Sequence, residues 1–399
     1  MEGKIRRIAT VLVALMMGVG IGMTWNYAKN DQASAGQELS AGTEKYQEIM
    51  DLVDQYFIGG DDLDMTQVND GMASGIISGL GDRWSYYVSA EDYQSYVNNI
   101  NNAYVGVGIT ITAKNDNDSN LIGYEVTKVS AGGSAEEAGV HAGDILTAVN
   151  GTAVSDITLT EVKSMVQGEE GTTVDLTFLR GEDTVSFTVE RRALTVIPAS
   201  GQMLDGNVGY IKIDNFDGGC AQTVIDLVEQ LQSDGAASLL FDVRNNPGGL
   251  KTELTRLLDY LLPEGTIFHT INYAGEEEIV TSDADCVELP MAVLCNGDSY
   301  SAAEYFACAI QQYGMGRVIG EQTCGKGYYQ VGMQLSDGSC INLSIGKYFT
   351  PNGESLIDVG VTPDVEITLE DDLKQQLALG KLEPKDDPQV QAALGTLLP

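Results

Sequence analysis

Hydrophobic positions recur at helical spacing in the first quarter of the chain. The apolar residues of the segment YQEIMDLVDQYF are Tyr46, Ile49, Met50, Val53 and Phe57. Their three- and four-residue steps place them on one face of a helix. The pattern continues in GMASGIISGL and breaks at Gly81, after which Ser89 is a candidate N-cap for a further helix. Residues 31–103 are therefore predicted to form a helical region.

From residue 104 to residue 192 the hydrophobic period shortens to two. Short alternating runs such as YVGVGITITA, GYEVTKVS and TTVDLTFLRG are separated by glycines, which is typical of β-strands joined by turns. Between two of these runs, SAEEAGVHAGD predicts a short helix that ends at Gly139. This order predicts a compact, partly open β-barrel with one or two helices.

Between residues 193 and 369 the strand and helix patterns alternate. NVGYIKIDNF, ASLLFDVRNNPGG and MAVLCNG have the apolar runs of buried strands, and CAQTVIDLVEQLQSDG, LKTELTRLLDYLL and SAAEYFACAIQQYG have helical spacing. Alternation of this kind favours a mixed sheet covered by helices. Residues 370–399 predict a helical tail, so the chain as a whole is expected to be a multi-domain α/β protein.

The N-terminus has the pattern of a membrane segment. Residues 8–25 are uncharged, long enough to cross a bilayer, and preceded by three basic residues: Lys4, Arg6 and Arg7. We expect residues 1–30 to be a cytoplasmic stub and a retained anchor, with the rest of the chain outside the cytoplasm. Cleavage near Ala33 and secretion is the alternative. Gly18 and Gly22 form a weak small-xxx-small pair, which allows a homodimer.

Composition excludes some partners. The 22 basic and 58 acidic residues give a net charge of −36, which disfavours nucleic acid and anionic lipid surfaces. All six cysteines lie in the second half without a metal-site spacing, and both disulfides and buried thiols fit that pattern. No metal or other cofactor is expected.

The chain has only two histidines, so a serine nucleophile would need a different base. Ser301 lies at the start of a predicted helix, whose N-terminus favours the negative charge of an oxyanion. Lys326 follows 25 residues later and Gln330 four residues after that. A lysine kept dry can accept a proton as a neutral amine, which predicts a serine–lysine hydrolase. The alternative is that Asp298 or Ser299 caps the helix and Ser301 is merely small.

Lys326 also has a competing interpretation. Residues 320–326, GEQTCGK, fit the first seven positions of a phosphate-binding loop. That motif continues with Ser or Thr and a helix, whereas here Gly327 follows and the next residues predict two β-runs joined at Asp337 and Gly338. A nucleotide site is therefore rejected.

The loop NNPGG at residues 245–249 follows a buried strand. The glycines allow close approach of the backbone to a substrate, and the N–H groups of Gly248 or Gly249 could face an oxyanion. A plain turn at a helix start explains the same residues.

Two resemblances combine these pieces. GVGI, AEEAGVHAGDIL and VNG, in that order, resemble a PDZ domain over residues 104–192. Such domains add a peptide C-terminus as a strand and hold its carboxylate in a glycine-rich loop. The resemblance places that loop at five residues: Val105, Gly106, Val107, Gly108 and Ile109.

Residues 40–367 resemble the carboxy-terminal processing peptidases. The match rests on GLGDRWSYYVSAEDY, NNPGG, the serine turn SYSAAE, the GKG lysine, KYFTPNGESL and GVTPDV. The resemblance implies that Ser301 is the nucleophile, Lys326 the general base and Gln330 the residue that orients the lysine. It implies an oxyanion hole from Gly248 or Gly249 with the Ala302 N–H. It also implies substrates with apolar C-terminal tails, which the PDZ domain delivers.

Departures from the family pattern keep a rival function open. The usual SASASE is SYSAAE here, Cys324 stands where Phe is often found, and Gln167 replaces an arginine that often precedes the PDZ turn. The rival is a membrane-tethered, peptide-binding scaffold whose protease site has decayed. A signal-peptidase-like Ser-Lys enzyme is disfavoured because it would leave NNPGG and the PDZ pattern without a role.

Overall fold

The structure is a computed structural model that describes residues 32–59, 62–116, 120–130 and 132–397. The chain divides into two compact units. The first contains the described residues up to Tyr93 together with Gln330–Ile345, and the second contains the described residues of Gln94–Tyr329 and Gly346–Pro399. Within the described residues, no helix combines the length and the apolar character needed to cross a bilayer. The predicted anchor at residues 8–25 lies outside them.

The N-terminal segment contains three helices and one strand. These are α1 (Gln32–Tyr56), α2 (Met65–Ser78), β1 (Tyr86–Val88) and α3 (Tyr93–Ile100). Asp64 caps α2 by accepting the Thr66 N–H at 2.8 Å. Ser89 closes a turn by accepting the Asp92 N–H at 3.0 Å, and α3 begins only at Tyr93. The helices confirm the predicted pattern, and β1 was not predicted.

Residues 103–195 form the predicted β-rich domain. Its elements are β2 (Ala103–Gly106), β3 (Ile109–Asn115), β4 (Leu121–Val129), α4 (Ser134–Ala138), β5 (Ile145–Val149), β6 (Thr152–Ala153), α5 (Leu159–Val166), β7 (Thr173–Arg180), β8 (Asp183–Glu190) and β9 (Arg192–Thr195). The main sheet has the order β3-β4-β5-β7-β8, with β6 added to β5. Gly139 ends α4 in the left-handed conformation, as predicted. Because β9 pairs with β2, the predicted boundary at residue 192 falls inside a strand.

The second half forms the predicted mixed sheet with helices. Its elements are β10 (Ala199–Leu204), β11 (Val208–Ile213), α6 (Cys220–Ser233), β12 (Ser238–Asp242), α7 (Lys251–Leu261), β13 (Gly265–Asn272), β14 (Glu277–Ser282), β15 (Met291–Cys295), α8 (Ala302–Gln312), β16 (Gly316–Gly320), β17 (Tyr328–Gln334), β18 (Cys340–Phe349), β19 (Val365–Glu366), α9 (Asp371–Ala378), a 3-10 turn (Pro384–Asp386) and α10 (Pro388–Leu397). The central sheet has the order β10-β11-β12-β15-β16-β19. Only the β10–β11 pair is antiparallel, and the other neighbours run parallel.

Both faces of the central sheet are covered. In β12, Leu239 and Phe241 pack into the core formed with α6, α7 and α8, whereas Leu240 packs into the core formed with α10. Strand β15 divides its side chains between the two cores in the same way. This is the alternation expected of a strand buried on both sides. The C-terminal tail is therefore helical, as predicted, and contributes to the core through Val390 and Ala393.

The strands β17 and β18 extend the first unit. Their turn is closed by the Leu335 N–H, which donates to Ser339 O at 2.7 Å, and β1 pairs antiparallel with the beginning of β18 at Tyr86 and Asn342. In the second unit, the end of β18 pairs with β13 from Gly346 to Phe349. The two predicted β-runs after Lys326 are thereby confirmed.

None of the six cysteines, all of which lie in the part of the chain that the structure describes, forms a disulfide. Cys220, Cys295, Cys308 and Cys340 are buried, and burial raises the pKa of the Cys295 thiol to about 12. Of the two interpretations, disulfides and buried thiols, the structure shows thiols.

Candidate active site

Three loops leave the carboxyl ends of neighbouring parallel strands in the second unit. Residues 243–250 follow β12, residues 296–301 follow β15, and residues 321–327 follow β16. These strands are adjacent in the sheet, so the loops meet at one edge. Binding sites in open α/β sheets lie at this edge.

Ser301 lies at the N-cap of α8 with φ 58° and ψ −121°. A residue with a side chain rarely adopts this conformation, and holding it there costs about 1–3 kcal/mol. Asp298 and Ser299 are not the cap. Ser299 is fully buried, and its hydroxyl donates to Val243 O at 2.7 Å, which ties the loop after β15 to the end of β12. The cap interpretation is therefore wrong about which residue begins the helix, and Ser301 is held in a strained turn.

Gly248 lies directly against Ser301. A Cβ atom on Gly248 would be 2.7 Å from Ser301 Cβ, 2.8 Å from Tyr300 O and 2.9 Å from Ala302 N. Gly248 also has a φ of +92°, which favours glycine. The backbone of the NNPGG loop can approach the serine turn only because this residue has no side chain.

Hydrogen bonds fix the NNPGG loop on both sides. Gly248 O accepts the Phe216 N–H at 2.7 Å, and the Leu250 N–H donates to Phe216 O at 2.8 Å. The Gly248 N–H donates to Asn246 Oδ1 at 2.8 Å. Gly249 follows with φ +150°, and a Cβ atom there would be 2.4 Å from the Phe216 carbonyl carbon. The backbone amides next to Ser301 thus have a fixed position.

Glu304 joins the serine turn to the lysine loop. This side chain is fully buried in the first turn of α8. Its Oε1 accepts the Ser301 N–H at 3.2 Å and the Lys326 N–H at 2.7 Å. A single carboxylate oxygen therefore bonds the backbone of both residues that the sequence selected as nucleophile and base.

The remaining lone pairs of Glu304 are also occupied. Oε2 accepts the Gly325 N–H and the Thr323 hydroxyl, each at 2.9 Å, and the Tyr348 hydroxyl donates to Oε1 at 3.2 Å. Burial raises the pKa of Glu304, while these N–H and O–H donors favour the carboxylate and oppose that rise. Burying a carboxylate costs free energy, which its five hydrogen-bond donors offset. The same bonds fix the positions of the serine turn and the lysine loop.

Lys326 is partly buried on the loop after β16. Its carbonyl lies 3.1 Å from the Tyr348 hydroxyl, whose one proton is shared between this oxygen and Glu304 Oε1, and its N–H donates to Glu304. The flanking glycines allow this path. Gly325 has a φ of +80°, and a Cβ atom on Gly327 would be 2.3 Å from Ile357 Cγ1. Strand β17 begins at Tyr328, so a strand and no helix follows the lysine, and the phosphate-loop interpretation is excluded.

Gln330 lies on β17, in the first unit. Its side-chain amide donates to the Ser344 hydroxyl at 2.9 Å. The backbone N–H of Ser344 in turn donates to Ser85 Oγ at 3.0 Å. The structure thus places Gln330 on the strand that directly follows the lysine loop.

A buried cluster of charged residues adjoins the start of the NNPGG loop. Arg244, 2% exposed, directly precedes the loop, and its guanidinium donates to both oxygens of Asp242 at 2.9 and 2.6 Å. The same guanidinium is 2.7 Å from Asp387 and donates to Gln389 at 2.8 Å. The Arg244 guanidinium and the Lys212 ammonium hold the pKa of Asp242 far below its usual range against the opposing effect of burial. The C-terminal tail is therefore bonded to the residue that begins the loop.

The sequence interpretation gave no role to Asp242, Arg244 or Glu304. A signal was present, because each is a charged residue inside an otherwise apolar run. Asp242 and Arg244 interrupt SLLFDVR, and Glu304 interrupts SAAEYFACAI. Charged residues in a buried element are retained where they are paired.

A groove runs beside β3 in the β-rich domain. It encloses about 790 Å³ and includes Gly106, Val107, Gly108 and Ile109 of the predicted carboxylate loop. Val105 instead pairs with Ala193 in the β2–β9 ribbon. Strand β3 is at the end of its sheet's strand order, so one of its edges faces this groove. That edge is the place where an added strand would pair.

Two family models each match a part of the chain. A model described as peptidase family S41 matches residues 207–367, which include all three loops of the candidate site. A model described as a PDZ domain matches residues 125–180, inside the predicted range 104–192.

Curated proteins show the same similarity over most of the chain. The chain is 27% identical over 374 residues to the carboxy-terminal processing protease CtpA of Bacillus subtilis (strain 168), with 92% of this chain and 78% of that protein covered. It is 29% identical over 308 residues to a CtpA-like serine protease of Staphylococcus aureus (strain COL), with 76% and 61% covered. The chain thus spans less than two thirds of the length of this second relative.

A solved structure supports the architecture. The chain matches an S41 protease from Bacteroides fragilis NCTC 9343 with a TM-score of 0.56 and 17% identity, over 86% of this chain and 95% of that one. At this level of identity the similarity shows the fold alone.

Proposed function

We propose a function for this chain as a member of the family of carboxy-terminal processing peptidases. In this proposal the chain is a serine endopeptidase that cleaves proteins near their C-termini, and Ser301 and Lys326 form its catalytic dyad. Membership of this family supports the coarser statement that the chain is a serine protease with a PDZ domain. The dyad, the capture of the substrate tail and the location of the enzyme are the parts that we propose.

The observation that carries the proposal is the Glu304 bridge. One oxygen of this buried carboxylate bonds the Ser301 N–H at 3.2 Å and the Lys326 N–H at 2.7 Å. Two residues 25 positions apart in the chain are thereby held at one carboxylate, at the sheet edge where ligands bind. A structural serine and an unrelated surface lysine would not need this connection.

The chemistry is acyl transfer through a covalent intermediate. The neutral Lys326 amine accepts the Ser301 hydroxyl proton as Oγ forms a bond to the scissile carbonyl carbon. The resulting ammonium gives that proton to the leaving amine as the C–N bond breaks. Lys326 then takes a proton from the water that attacks the ester and gives it to Ser301 Oγ as the acyl C–O bond breaks. This step releases the acid product and restores the neutral amine and the Ser301 hydroxyl. Gln330, on the strand after the lysine loop, is the proposed orienting residue for the amine.

The oxyanion hole is assigned to the Ala302 N–H together with Gly248 or Gly249. The N-terminus of α8 favours negative charge next to Ser301. Because the Gly248 N–H donates to Asn246 Oδ1, its use for the oxyanion requires that bond to open. Gly249 needs no such exchange with Asn246, and we prefer it.

Substrate capture is assigned to the groove beside β3. An unfolded C-terminal tail added antiparallel to β3 would place its carboxylate at Gly106–Ile109 and its last, apolar side chain in the groove. The substrates are therefore proteins or peptides with apolar C-termini.

Peptide turnover tests the dyad. We expect Ser301→Ala and Lys326→Ala each to lower kcat/KM at least 10³-fold on a peptide with an apolar C-terminus, because nucleophile and base act as one unit. Lys347→Ala, on β18, removes an exposed lysine and is the matched control with unchanged turnover. Near-ultraviolet circular dichroism must match the parent chain. Full activity of either dyad variant would overturn the assignment, and an inactive parent that still binds tails would favour the rival scaffold function.

The location is proposed from the sequence alone. The apolar residues 8–25 after Lys4, Arg6 and Arg7 support a single-pass anchor with the protease outside the cytoplasm. We expect the chain to stay with the membrane fraction at high pH and to be digested by protease added outside intact cells. Release into the medium of a shortened chain would show instead that the segment is cleaved.

A further inference from the structure

The groove beside β3 has a charge that differs from the rest of the molecule. The chain carries 58 acidic and 22 basic residues. Among the described residues that line the groove, two are lysines, Lys128 and Lys163, and none is acidic. The rest are mainly apolar or small. A uniform distribution of charge would place more carboxylates than ammonium groups there.

Lys163 is placed by helix α5. Lys163, Val166 and Gln167 all line the groove, as expected of residues three and four positions apart on one helix face. Gln167 Cγ would be 3.9 Å from a Cβ atom on Gly106, so the C-terminal end of α5 adjoins the carboxylate loop. Lys163 therefore lies about one helical turn, roughly 5.4 Å, farther from that loop.

The spacing selects a position in the substrate tail. A tail added antiparallel to β3 runs away from the carboxylate loop by about 3.4 Å per residue, with alternate side chains on the same face. If the C-terminal residue is position 0, position −2 shares its face and lies roughly 6.8 Å from it. The four residues from Lys163 to Gln167 rise by about 6 Å, which is close to this spacing, so a tail whose position 0 lies beside Gln167 would have its −2 side chain beside Lys163.

Lys128 faces the opposite side of the tail. It pairs with Thr110 across the β3–β4 ladder, and both side chains are exposed. Directly paired residues share one face of the sheet. Positions −1 and −3 of an added strand project on this exposed side, so Lys128 provides the second, more distant positive charge.

Three acidic side chains on the elements around the groove have other partners. Glu125 on β4 is 2.7 Å from Lys114, and Glu161 of α5 accepts the Thr158 N–H and hydroxyl. Glu137 is 2.8 Å from Arg192. None of the three lines the groove, so Lys128 and Lys163 are the charges that a bound tail meets first.

We infer that the groove selects tails that carry an acidic residue at position −2, with a weaker preference at −3, before an apolar C-terminal residue. This specificity rests on the proposed tail capture and adds the chemistry of the positions that precede the end. A carboxylate at −2 gains an ion pair with Lys163 inside a groove that removes part of its water. Salt screens charges that are more than about 8 Å apart at physiological ionic strength, so most of the negative charge of the chain acts only weakly on the tail. The contact between the −2 carboxylate and Lys163 is shorter and is screened less at this salt concentration.

Binding by the full-length Ser301→Ala chain tests the inference without cleavage. Fluorescent ten-residue peptides ending in Val would carry Glu, Gln or Lys at −2, and a C-terminally amidated Glu peptide would test the carboxylate. By fluorescence anisotropy we expect the Glu peptide to bind about 5–10-fold more tightly than the Gln peptide and the Lys peptide to bind most weakly. The amidated peptide should lose most of its affinity, and 0.5 M NaCl should reduce the Glu preference.

Lysine variants separate the groove from general charge. Lys163→Gln should reduce the Glu-over-Gln preference at −2 to less than twofold, and Lys128→Gln should reduce mainly a preference at −3. Lys114→Gln makes the same charge change outside the groove and should leave both preferences intact. Equal binding of the Glu and Gln peptides, or an equal effect of Lys114→Gln, overturns the inference. Binding of no tail overturns it together with tail capture, whereas tail binding with no −2 preference overturns the inference alone.

Discussion

The candidate active site and the groove beside β3 hold their side chains in opposite ways. At the active site, Ser301 has a strained backbone, Glu304 is fully buried, and the neighbouring loops are tied by short hydrogen bonds. In the groove, β3 has an edge that a peptide can join, and the two lysines are exposed. The first region is fixed in the chain itself, whereas in our proposal the second is completed by the tail of the substrate.

This difference fits the role that we propose for each region. Acyl transfer needs groups held to within fractions of an ångström, and pre-formed donors lose nothing to reorganisation when charge develops. Tail capture must accept many sequences, so backbone pairing provides affinity and a few side chains provide preference. Substitutions in the active site should therefore have large effects on turnover, and substitutions in the groove should have graded effects on binding.

The largest effect is expected from Gly248→Ala. The added methyl group would lie less than 3.0 Å from Ser301 Cβ, Tyr300 O and Ala302 N, on a residue whose φ of +92° already disfavours alanine. Because the serine turn must then move, we expect a loss of at least 10³-fold in kcat/KM. Gly235→Ala is the matched control, since φ is +97° and the space around it is open. If Gly248→Ala kept more than a tenth of the activity, the active site would be less rigid than the comparison requires.

Glu304→Gln should have the next largest effect. An amide can accept on one side only, so it places an N–H₂ group against the Lys326 N–H or the Gly325 N–H. We expect kcat to fall about 100-fold with KM for a tailed peptide unchanged, and stability to fall by about 1–3 kcal/mol because buried donors lose their acceptor.

The exposed Glu182, in the β7–β8 turn, gives the control variant Glu182→Gln for the preceding substitution. Steady-state kinetics and urea unfolding measure the two quantities. A Glu304→Gln enzyme with lower stability and normal kcat would show that Glu304 supports the fold but does not position the dyad.

A smaller effect, on stability, is expected between the β-rich domain and the NNPGG loop. Asn102 precedes β2, and its side chain exchanges two hydrogen bonds with the side chain of Asn215. The next residue, Phe216, forms backbone hydrogen bonds with the NNPGG loop. Asp217 follows, and burial, with a smaller contribution from Glu253, raises its pKa to about 6. The charged form of Asp217 is therefore disfavoured in the folded chain.

The pH dependence of stability tests this joint. A carboxyl group with a raised folded-state pKa stabilises the fold below its unfolded pKa, near 4, and loses that contribution as pH rises through about 6. Asp217→Asn should thus be neutral at pH 4 and stabilise by about 1 kcal/mol at pH 7, once partial exposure is allowed for. Thermal unfolding at both pH values measures the difference. An equal shift at both values would mean that the effect is not due to ionisation.

The sequence predicted most of the fold through local patterns. The short helix ended by Gly139, the α/β alternation of the core and the β-runs after Lys326 are all present, because glycine positions and hydrophobic period determine them locally. Strand β1 was not predicted. It has three residues, and its partner around Asn342 is about 250 positions away in the chain, so no local pattern reports the pairing.

The sequence selected Ser301 and Lys326, whose catalytic roles stay a prediction, but it did not indicate the residues that support them. Ser301 and Lys326 stand in recognisable motifs, whereas the roles of Glu304 and Arg244 depend on which distant loops pack against them. The bond from Arg244 to Asp387 joins residues 143 positions apart, and sequence spacing alone cannot indicate it. Charged residues inside apolar runs were the only available signal.

Covalent labelling tests the central claim most directly. The full-length chain would be treated with a fluorophosphonate, digested and analysed by mass spectrometry, with Lys326→Met and the control Lys347→Met treated in parallel. We predict one adduct, on Ser301, formed at the same rate in Lys347→Met and at least 100-fold more slowly in Lys326→Met, because only a serine with a neighbouring base is nucleophilic at neutral pH. An adduct on a different serine, or an undiminished rate in Lys326→Met, would contradict the dyad.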